Sequence, residues 1–524
     1  MRFRAFRVAA VAILSASPGL TWAQAVSGEG ACAALRQQQV PGVVLSDVTA
    51  QWLPAGAPPP PEPPWVPPLT VPLPAYCRLS ATIDPRAGAG GKSYGIGFAL
   101  ALPAEWNGRF LFQGGGGLNG SVAPPLGRTK QGESALSRGF AVVTTDTGHR
   151  GEVFDASFMA DQQASLDFAY QAVGRVASVA KQILALHYGR PPAHSYFMGC
   201  STGGREGMLM AERYPAYFDG IVVGAPAMRT SFSGIGDEWV ATMLNRVAPL
   251  DDASGKPDAS RAFSAADRKA VIDGLLAVCD GADGLRDGIV SDPIGCRFDP
   301  GSLRCGGPKA DGCLSGAQVE ALAKAFAGPK DSKGRQVYPG FPFDTGIAAT
   351  QGIPGLLAGG MNPVGPRFTA TEMNVDERAE RAAADPQMQL TTTWSWTNLN
   401  TFAGRGGKLL FYHGVSDPWF SVLDTVDYYE RMTRANGGAA AVNAWSRLFL
   451  VPGMGHCGGG PATLDTFDML GAVVDWVEGQ KAPQAIQATG RAWPGRSRPL
   501  CPYPTHAHYK GTGNVDDAAS FECR

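Results

Sequence analysis

An excess of charge of either sign is missing from this chain. Its 524 residues carry 45 Lys and Arg against 46 Asp and Glu, a formal net charge of -1. No basic tail or stripe is present, which argues against a nucleic-acid partner and against electrostatic attachment to a membrane surface. Long apolar runs are missing as well. No segment after the N-terminus approaches the roughly 20 residues needed to span a bilayer, so the mature chain is expected to be soluble and free of membrane partners. Histidine is scarce, with 7 in all. Glycine is abundant, with 68 residues, and the length suffices for one large domain with an insertion or for two domains.

The N-terminus pairs Arg2, Arg4 and Arg7 with an apolar run from Val8 to Leu14 and small-residue cleavage sites at Thr21-Trp22-Ala23 and Ala23-Gln24-Ala25. This reads as a secretory signal peptide over residues 1–25, sending the protein to the periplasm or the medium. Export changes the reading of the 10 cysteines, because an even count in an oxidising compartment favours disulfides. Connectivity does not follow from sequence alone. Neighbours in the chain suggest Cys32 with Cys77, Cys279 with Cys296, Cys305 with Cys313, and Cys501 with Cys523, leaving Cys200 and Cys457. The proline-rich run from Pro54 to Pro74 favours extended polyproline II and is expected to wrap the surface, clamped by Cys32 and Cys77.

Gly199-Cys200-Ser201-Thr202-Gly203 fits G-x-S-x-G, the strand-to-helix turn that lifts a serine hydroxyl above a parallel sheet. In so glycine-rich a chain the pattern alone is weak, and the flanks decide. His194 to Met198 reads as a buried strand, and Arg205 to Tyr214 as a helix opening just after the serine. Upstream, Ser93 to Leu100 alternates, Arg109 to Phe112 is a second strand, Phe140 to Thr145 a third, and Ser165 to Tyr188 a crossover helix. Phe218 to Pro226 is the next strand. This rhythm is that of a doubly wound α/β sheet. It stops from about Ala227 to Phe402, a loop-rich stretch with four cysteines, and resumes at Lys408 to Gly414, followed by the strand Ser446 to Val451 and helices at Thr425 to Ala435 and Thr466 to Gly479. The expected organisation is an α/β-hydrolase core over 26–226 and 403–524, with a lid inserted over 227–402.

A serine nucleophile needs a base, and the base an orienting acid, which in this fold follow the serine in the order acid, then histidine. Beyond the second half of the sheet only His456, His506 and His508 are available. His456 lies on a glycine-flexible loop directly after a strand, whereas His506 and His508 lie in a tail between Cys501 and Cys523. Asp417 follows the strand ending at Gly414 by three residues. Ser201, Asp417 and His456 are therefore the candidate triad. If Ser201 and His456 are within hydrogen-bond reach, their neighbours Cys200 and Cys457 can approach disulfide distance, and the two leftover cysteines pair. The glycine-rich loop Gln113 to Gly120 follows an early strand, where this fold presents a second oxyanion donor, although a surface turn fits the same composition. Asn119-Gly120-Ser121 also matches a glycosylation sequon.

Cys279 to Ile289 places Asp280, Asp283 and Asp287 among turn-forming glycines. Hard oxygen ligands at that density suit calcium, without the spacing of an EF-hand, and a solvated Asp-Gly turn fits equally.

With these residues assembled, the chain resembles the tannase and feruloyl esterase family, which includes hydrolases of mono(hydroxyethyl) terephthalate, over nearly the whole mature chain. Gly199 to Gly207, His413 to Pro418 and Pro452 to Cys457 look like the family's CS-D-HC arrangement. The resemblance implies Ser201, Asp417 and His456 as the triad, Cys200 with Cys457 as the bridge beside it, and the amides of Gly117 and Thr202 as the oxyanion hole. It implies a structural calcium ion held by the Asp280, Asp283 and Asp287 side chains and the Leu285 and Ile289 carbonyls, with no organic cofactor. Asp417 to Ser421, Arg447 to Met454 and Arg498 to Pro504 resemble the terephthalate branch, in which an aromatic at the position of Phe420 lies against the substrate ring. Between Gly346 and Trp394 the chain is short, and that branch's carboxylate-gripping arginine and tryptophan have no aligned counterpart; Arg367 and Arg378 are the candidate replacements. The expected activity is hydrolysis of small aromatic esters of gallate, hydroxycinnamate or terephthalate type. The alternatives are a hydrolase of mono(hydroxyethyl) terephthalate specifically, or an aromatic-ligand binding protein that keeps the scaffold without catalysis. Loss of a triad member would favour the last, and all three are present. Oligomeric state is not legible.

Overall fold

A computed structural model describes residues 28–61, 68–129, 132–359, 362 and 365–524. The expected leader, residues 1–25, lies outside the described residues, as does part of the proline-rich run. Nine strands form one sheet: β1 Leu45–Leu53, β2 Tyr76–Ala87, β3 Ser93–Pro103, β4 Arg109–Gln113, β5 Ala141–Thr145, β6 His194–Cys200, β7 Gly220–Gly224, β8 Lys408–Gly414 and β9 Ser446–Val451. Their order is β1-β2-β3-β5-β4-β6-β7-β8-β9. The first three are antiparallel and β3 meets β5 antiparallel, after which every pairing is parallel. Because these strands run parallel, the carboxyl ends of β4, β6, β8 and β9 open onto one edge, and the chain leaves β4 toward β5 but β6 toward β7, the kind of switch point at which ligands of open α/β sheets bind.

The parallel strands are buried on both faces, which is why they read as continuous apolar runs. Phe110, Phe112, Phe197, Ile221, Val223, Leu409 and Phe411 enter one core with the helix Ala172–Tyr188. The alternate residues Leu111, Tyr196, Val222, Leu410 and Tyr412 enter the other, with the helix Met469–Gly479. A period of two thus divides each strand between two cores.

β1 and β2 are additions to the sequence-based expectation, as are the small C-terminal pairs β10 Ile486–Thr489 with β11 Ser497–Leu500 and β12 Ala507–Tyr509 with β13 Phe521–Cys523. His508 lies in β12, so the tail has strand structure where none was expected. Between β7 and β8 no strand of that sheet occurs among the described residues. The stretch instead packs helices around its own core, in which Val240, Leu244, Phe263, Val271, Leu275 and Leu322 are buried. Two of these helices, Ala265–Cys279 and Gly316–Ala327, open with capping boxes at Ser264 and Ser315. In each, the serine hydroxyl and a carboxylate or amide three residues on satisfy orphaned amides reciprocally, fixing the helix start locally.

The ten cysteines form five disulfides, Cys32–Cys77, Cys200–Cys457, Cys279–Cys296, Cys305–Cys313 and Cys501–Cys523. Among the described residues no helix is long and apolar enough to cross a membrane.

Candidate active site

Ser201 stands at the turn between β6 and the helix Thr202–Arg213 with φ 63° and ψ -125°. Positive φ is strained for a residue with a Cβ and persists only where the surroundings impose it. Here they do so by close approach. A Cβ on Gly199 would lie 2.5 Å from the Gly203 carbonyl oxygen, and one on Gly203 would lie 2.7 Å from the Gly115 carbonyl oxygen. The motif's glycines are therefore needed for contact between backbones. The helix begins at Thr202, three residues before the expected Arg205, because Ser201 itself is the N-cap residue.

Asp417 and His456 meet at the ends of β8 and β9. His456 Nδ1 lies 2.7 Å from Asp417 Oδ2, and both residues are buried. A carboxylate can only accept, so Nδ1 carries the hydrogen and Nε2 of the neutral ring is left bare as a base. Asp417 Oδ1 accepts from the amides of Trp419 at 2.9 Å and Phe420 at 3.0 Å. Burial alone would raise the Asp417 pKa, but His456 and His413 outweigh it and hold the carboxyl well below its usual range. Asp417 is thus an anion fixed on both oxygens. The rings of Trp419 and Phe420 flank His456, with centroids 4.7 and 5.2 Å away.

The Cys200–Cys457 bridge brings the serine to this pair. It sets the two Cα atoms 6.0 Å apart across 257 residues, with Ser201 next to one cysteine and His456 next to the other. Among the described residues no hydrogen bond joins Ser201 Oγ to His456.

The glycine-rich loop after β4 is fastened to the same turn. Gly203 N donates to Gly115 O at 3.0 Å, and the Thr202 hydroxyl donates to Gly117 O. Among the described residues the amides of Gly117 and Thr202 make no backbone hydrogen bond, so both donors remain available. Glu206, which the sequence reading passed over, holds the loop from below. Its carboxylate is fully buried and accepts from Gly115 N at 3.0 Å and from Asn119 Nδ2 at 2.9 Å. A charged residue amid the apolar face of the helix after the serine was the available signal. Asn119 is itself buried, so its side chain serves this network and is closed to glycosylation.

A second unanticipated carboxylate, Asp344, reaches in from the inserted segment. One of its oxygens accepts from Ser416 Oγ at 2.7 Å and Gly453 N at 2.6 Å, joining the loop of Asp417 to the loop of His456. Burial raises its pKa. No local pattern marks such a residue, whose partners lie 72 and 109 positions away.

The acidic loop lies apart from this site. Asp280 accepts from the Asp287 and Gly288 amides, Asp283 from Leu285 N and Ser291 Oγ, and Asp287 from Ile289 N and Arg498. Among the described residues no three such side chains converge on one point. The donor chemistry still fits a hard cation. Burial raises the Asp283 pKa, and the Asp287 and Asp280 carboxylates push against the bonds from Ser291 and Leu285 that lower it. The two arginines considered as carboxylate grips have partners of their own. Arg378 pairs with Glu238 at 2.6 Å and Arg367 with Asp258 at 3.3 Å.

Comparison with known proteins agrees with this architecture. The family model described as tannase and feruloyl esterase matches residues 77–357 and 367–524. The chain is 39% identical to a mono(2-hydroxyethyl) terephthalate hydrolase of Piscinibacter sakaiensis, over 86% of this chain and 85% of that one. It is 31% identical to a probable feruloyl esterase of Arthroderma benhamiae, over 94% and 93%. Among solved structures, feruloyl esterase B from Aspergillus oryzae superposes with a TM-score of 0.74 at 26% identity, covering 94% of this chain and 99% of that one. Tannin acyl hydrolase from Aspergillus niger, at 21% identity and a TM-score of 0.69 over 93% and 92%, shares the fold. The chain belongs to the tannase and feruloyl esterase family and is a carboxylic ester hydrolase.

Proposed function

We propose that this protein hydrolyses small esters of aromatic carboxylic acids through an acyl-enzyme on Ser201. The observation that carries the reading is the buried Asp417–His456 hydrogen bond, tethered to the Ser201 turn by Cys200–Cys457. Ser201 Oγ attacks the ester carbonyl as its proton passes to His456 Nε2, while Asp417 holds the imidazole and stabilises its cation. The amides of Gly117 and Thr202 donate to the tetrahedral oxyanion, each worth roughly 3 kcal/mol of barrier. His456 returns the proton to the departing alcohol. Water, deprotonated by the same base, then releases the aromatic acid. The aromatic preference is supported by Trp419 and Phe420 beside His456, with Phe420 as the candidate contact to the acyl ring.

A terephthalate monoester is the second reading, favoured by the 39% identity to a mono(2-hydroxyethyl) terephthalate hydrolase. Its candidate grips on a free carboxylate, Arg367 and Arg378, are paired with Asp258 and Glu238.

A structural calcium ion belongs to the same proposal. Asp280, Asp283 and Asp287, with the Leu285 and Ile289 carbonyls, would hold it, and it would neutralise the buried carboxylates and lock the loop. Chelator should lower the melting temperature; an unchanged value would remove the ion from the scheme. The five disulfides suit export to the periplasm or the medium.

The central test compares wild type and Ser201→Ala on methyl gallate, methyl ferulate, mono(hydroxyethyl) terephthalate and a short p-nitrophenyl ester. Serine-dependent turnover strongest on one aromatic ester supports the proposal and names the acid. Full activity in Ser201→Ala defeats it.

A further inference from the structure

The second histidine beside Asp417 has no part in the scheme above. His413 lies near the end of β8 with its side chain fully buried. Its Nε2 is 3.0 Å from the Phe420 carbonyl oxygen and 3.3 Å from Asp417 Oδ2, and its Nδ1 is 2.8 Å from Thr425 Oγ1. Chemistry fixes the tautomer. A carbonyl and a carboxylate both only accept, so Nε2 must carry the hydrogen, shared between them, while Nδ1 accepts the Thr425 hydroxyl proton. Asp417 Oδ2 therefore faces two imidazole N–H groups, one from His456 and one from His413.

We propose that His413 is a positioning residue for ester hydrolysis, its Nε2–H tying Asp417 Oδ2 to the Phe420 carbonyl so that the acid is aimed at His456 and the Trp419–Phe420 pair is set against the ring. The proposal rests on the triad reading given above.

The tie closes the turn from Asp417 to Phe420, whose other face is closed by the Trp419 and Phe420 amides on Oδ1. A carboxylate held on both oxygens cannot rotate, and a positioned acid is what keeps the base in its productive tautomer. Sharing Oδ2 also spreads the negative charge of Asp417 and weakens its pull on the proton of His456. Other groups facing this cluster are the Asp237 carboxylate from the helix Thr230–Asn245, Asp344 through Ser416, the Tyr338 phenol through the Ser421 amide, and the Arg229–Asp424 pair. Among the described residues none of these donates to Asp417, so His413 and His456 are its side-chain donors.

The test contrasts two amides. The side-chain N–H of His413→Gln can reach the position of Nε2, whereas that of His413→Asn stops near Nδ1 and leaves Asp417 without the second donor. Wild type, both variants and Ser201→Ala are compared on a short p-nitrophenyl ester from pH 5 to 9, with folding checked by circular dichroism. The expected result for His413→Asn is a kcat lower by about tenfold, a KM near wild type, and an acid limb of kcat/KM moved to higher pH. His413→Gln should recover most of kcat and restore the limb. Equal impairment of both variants, including failure of both to fold, would overturn the proposal in favour of a packing role. Wild-type behaviour of both would overturn it as well. Activity in Ser201→Ala would instead sink the triad reading.

Discussion

Removing the Cys200–Cys457 bridge separates stability from catalysis in a way the structure makes quantitative. The bridge closes a loop of 257 residues, while Cys305–Cys313 closes one of 8. Chain-entropy arithmetic assigns about 5.5 kcal/mol to the first and about 2.5 kcal/mol to the second. For a chain of this size the melting entropy is about 1.1 kcal/mol/K, so the melting temperature should fall by about 5 °C and about 2 °C respectively. Catalysis should diverge far more. The long bridge joins the chain neighbours of Ser201 and His456, and under the proposed mechanism a misplacement of about 1 Å costs on the order of 100-fold in rate. The short one joins Cys305 to Cys313 within the inserted segment. We therefore expect Cys200→Ser/Cys457→Ser to lose about 100-fold in kcat/KM and Cys305→Ser/Cys313→Ser less than about twofold. Differential scanning fluorimetry and initial rates on a p-nitrophenyl ester measure both effects. Equal activity losses in the two variants, or a long-bridge variant that melts earlier yet turns over at the wild-type rate, would refute the argument.

Three further outcomes follow from buried carboxylates. Asp344→Ala strands Ser416 Oγ and Gly453 N, so a loss of about 2 to 5 kcal/mol in denaturant unfolding is expected, together with a fall in kcat larger than any rise in KM; wild-type stability would contradict it. Glu206→Ala frees the Gly115 amide and the Asn119 side chain, so kcat should fall by about tenfold or more with KM little changed; an unaltered kcat would show that the loop holds itself. Asp146, buried between the Gly97 and Gly148 amides at 2.9 Å each, has its pKa pushed up to about 7 by burial. Its folded value stands above its unfolded one, so the folded chain keeps a proton that the unfolded chain has lost. Stability from this group is fully present below about pH 4 and declines as pH rises to about 7, by up to about 4 kcal/mol. Asp146→Asn should flatten that slope in urea melts at pH 5 and pH 8, and an identical slope would reject the assignment.

The parallel half of the sheet was legible because strands buried on both faces are apolar over most of their length, as in Phe140 to Thr145 and Lys408 to Gly414. β1 and β2 were not legible for a physical reason. Their mutual register shifts between Ser46 and Thr49, and β2 slips again against β3 between Ile83 and Arg86. Such irregularities break the period-two alternation by which a half-exposed strand is recognised. At the candidate site, Ser201, Asp417 and His456 could be singled out because each follows a strand end within a few residues, a local signature. His413 was read only as strand, since nothing in a run of buried residues says which one turns a nitrogen toward a neighbour's carboxylate. Glu206 and Asp344 act on residues 72 to 109 positions distant, and such pairings exist only once the chain has folded.

These long-range pairings tie the inserted segment to the loops of the proposed acid and base. Asp344 bonds Ser416 and Gly453, the Tyr338 hydroxyl accepts from the Ser421 amide at 3.0 Å, and the Gly340 carbonyl accepts from Ser421 Oγ at 2.6 Å. The loops that carry Asp417 and His456 thus rest on residues 338–344 as much as on the sheet. A segment so attached cannot be exchanged whole between relatives without disturbing the acid and the base. Among the described residues between Gly346 and Trp394 no hydrogen bond reaches Ser416, Ser421 or Gly453, so change in acid preference is expected in that stretch. Grafting that stretch from a relative while keeping 338–344 should alter the order of preferred esters with kcat on a p-nitrophenyl ester held within about tenfold. Grafting across 338–344 as well should lower kcat on every ester together, because the loss then lies in the geometry of Asp417 and His456 and precedes any choice of substrate.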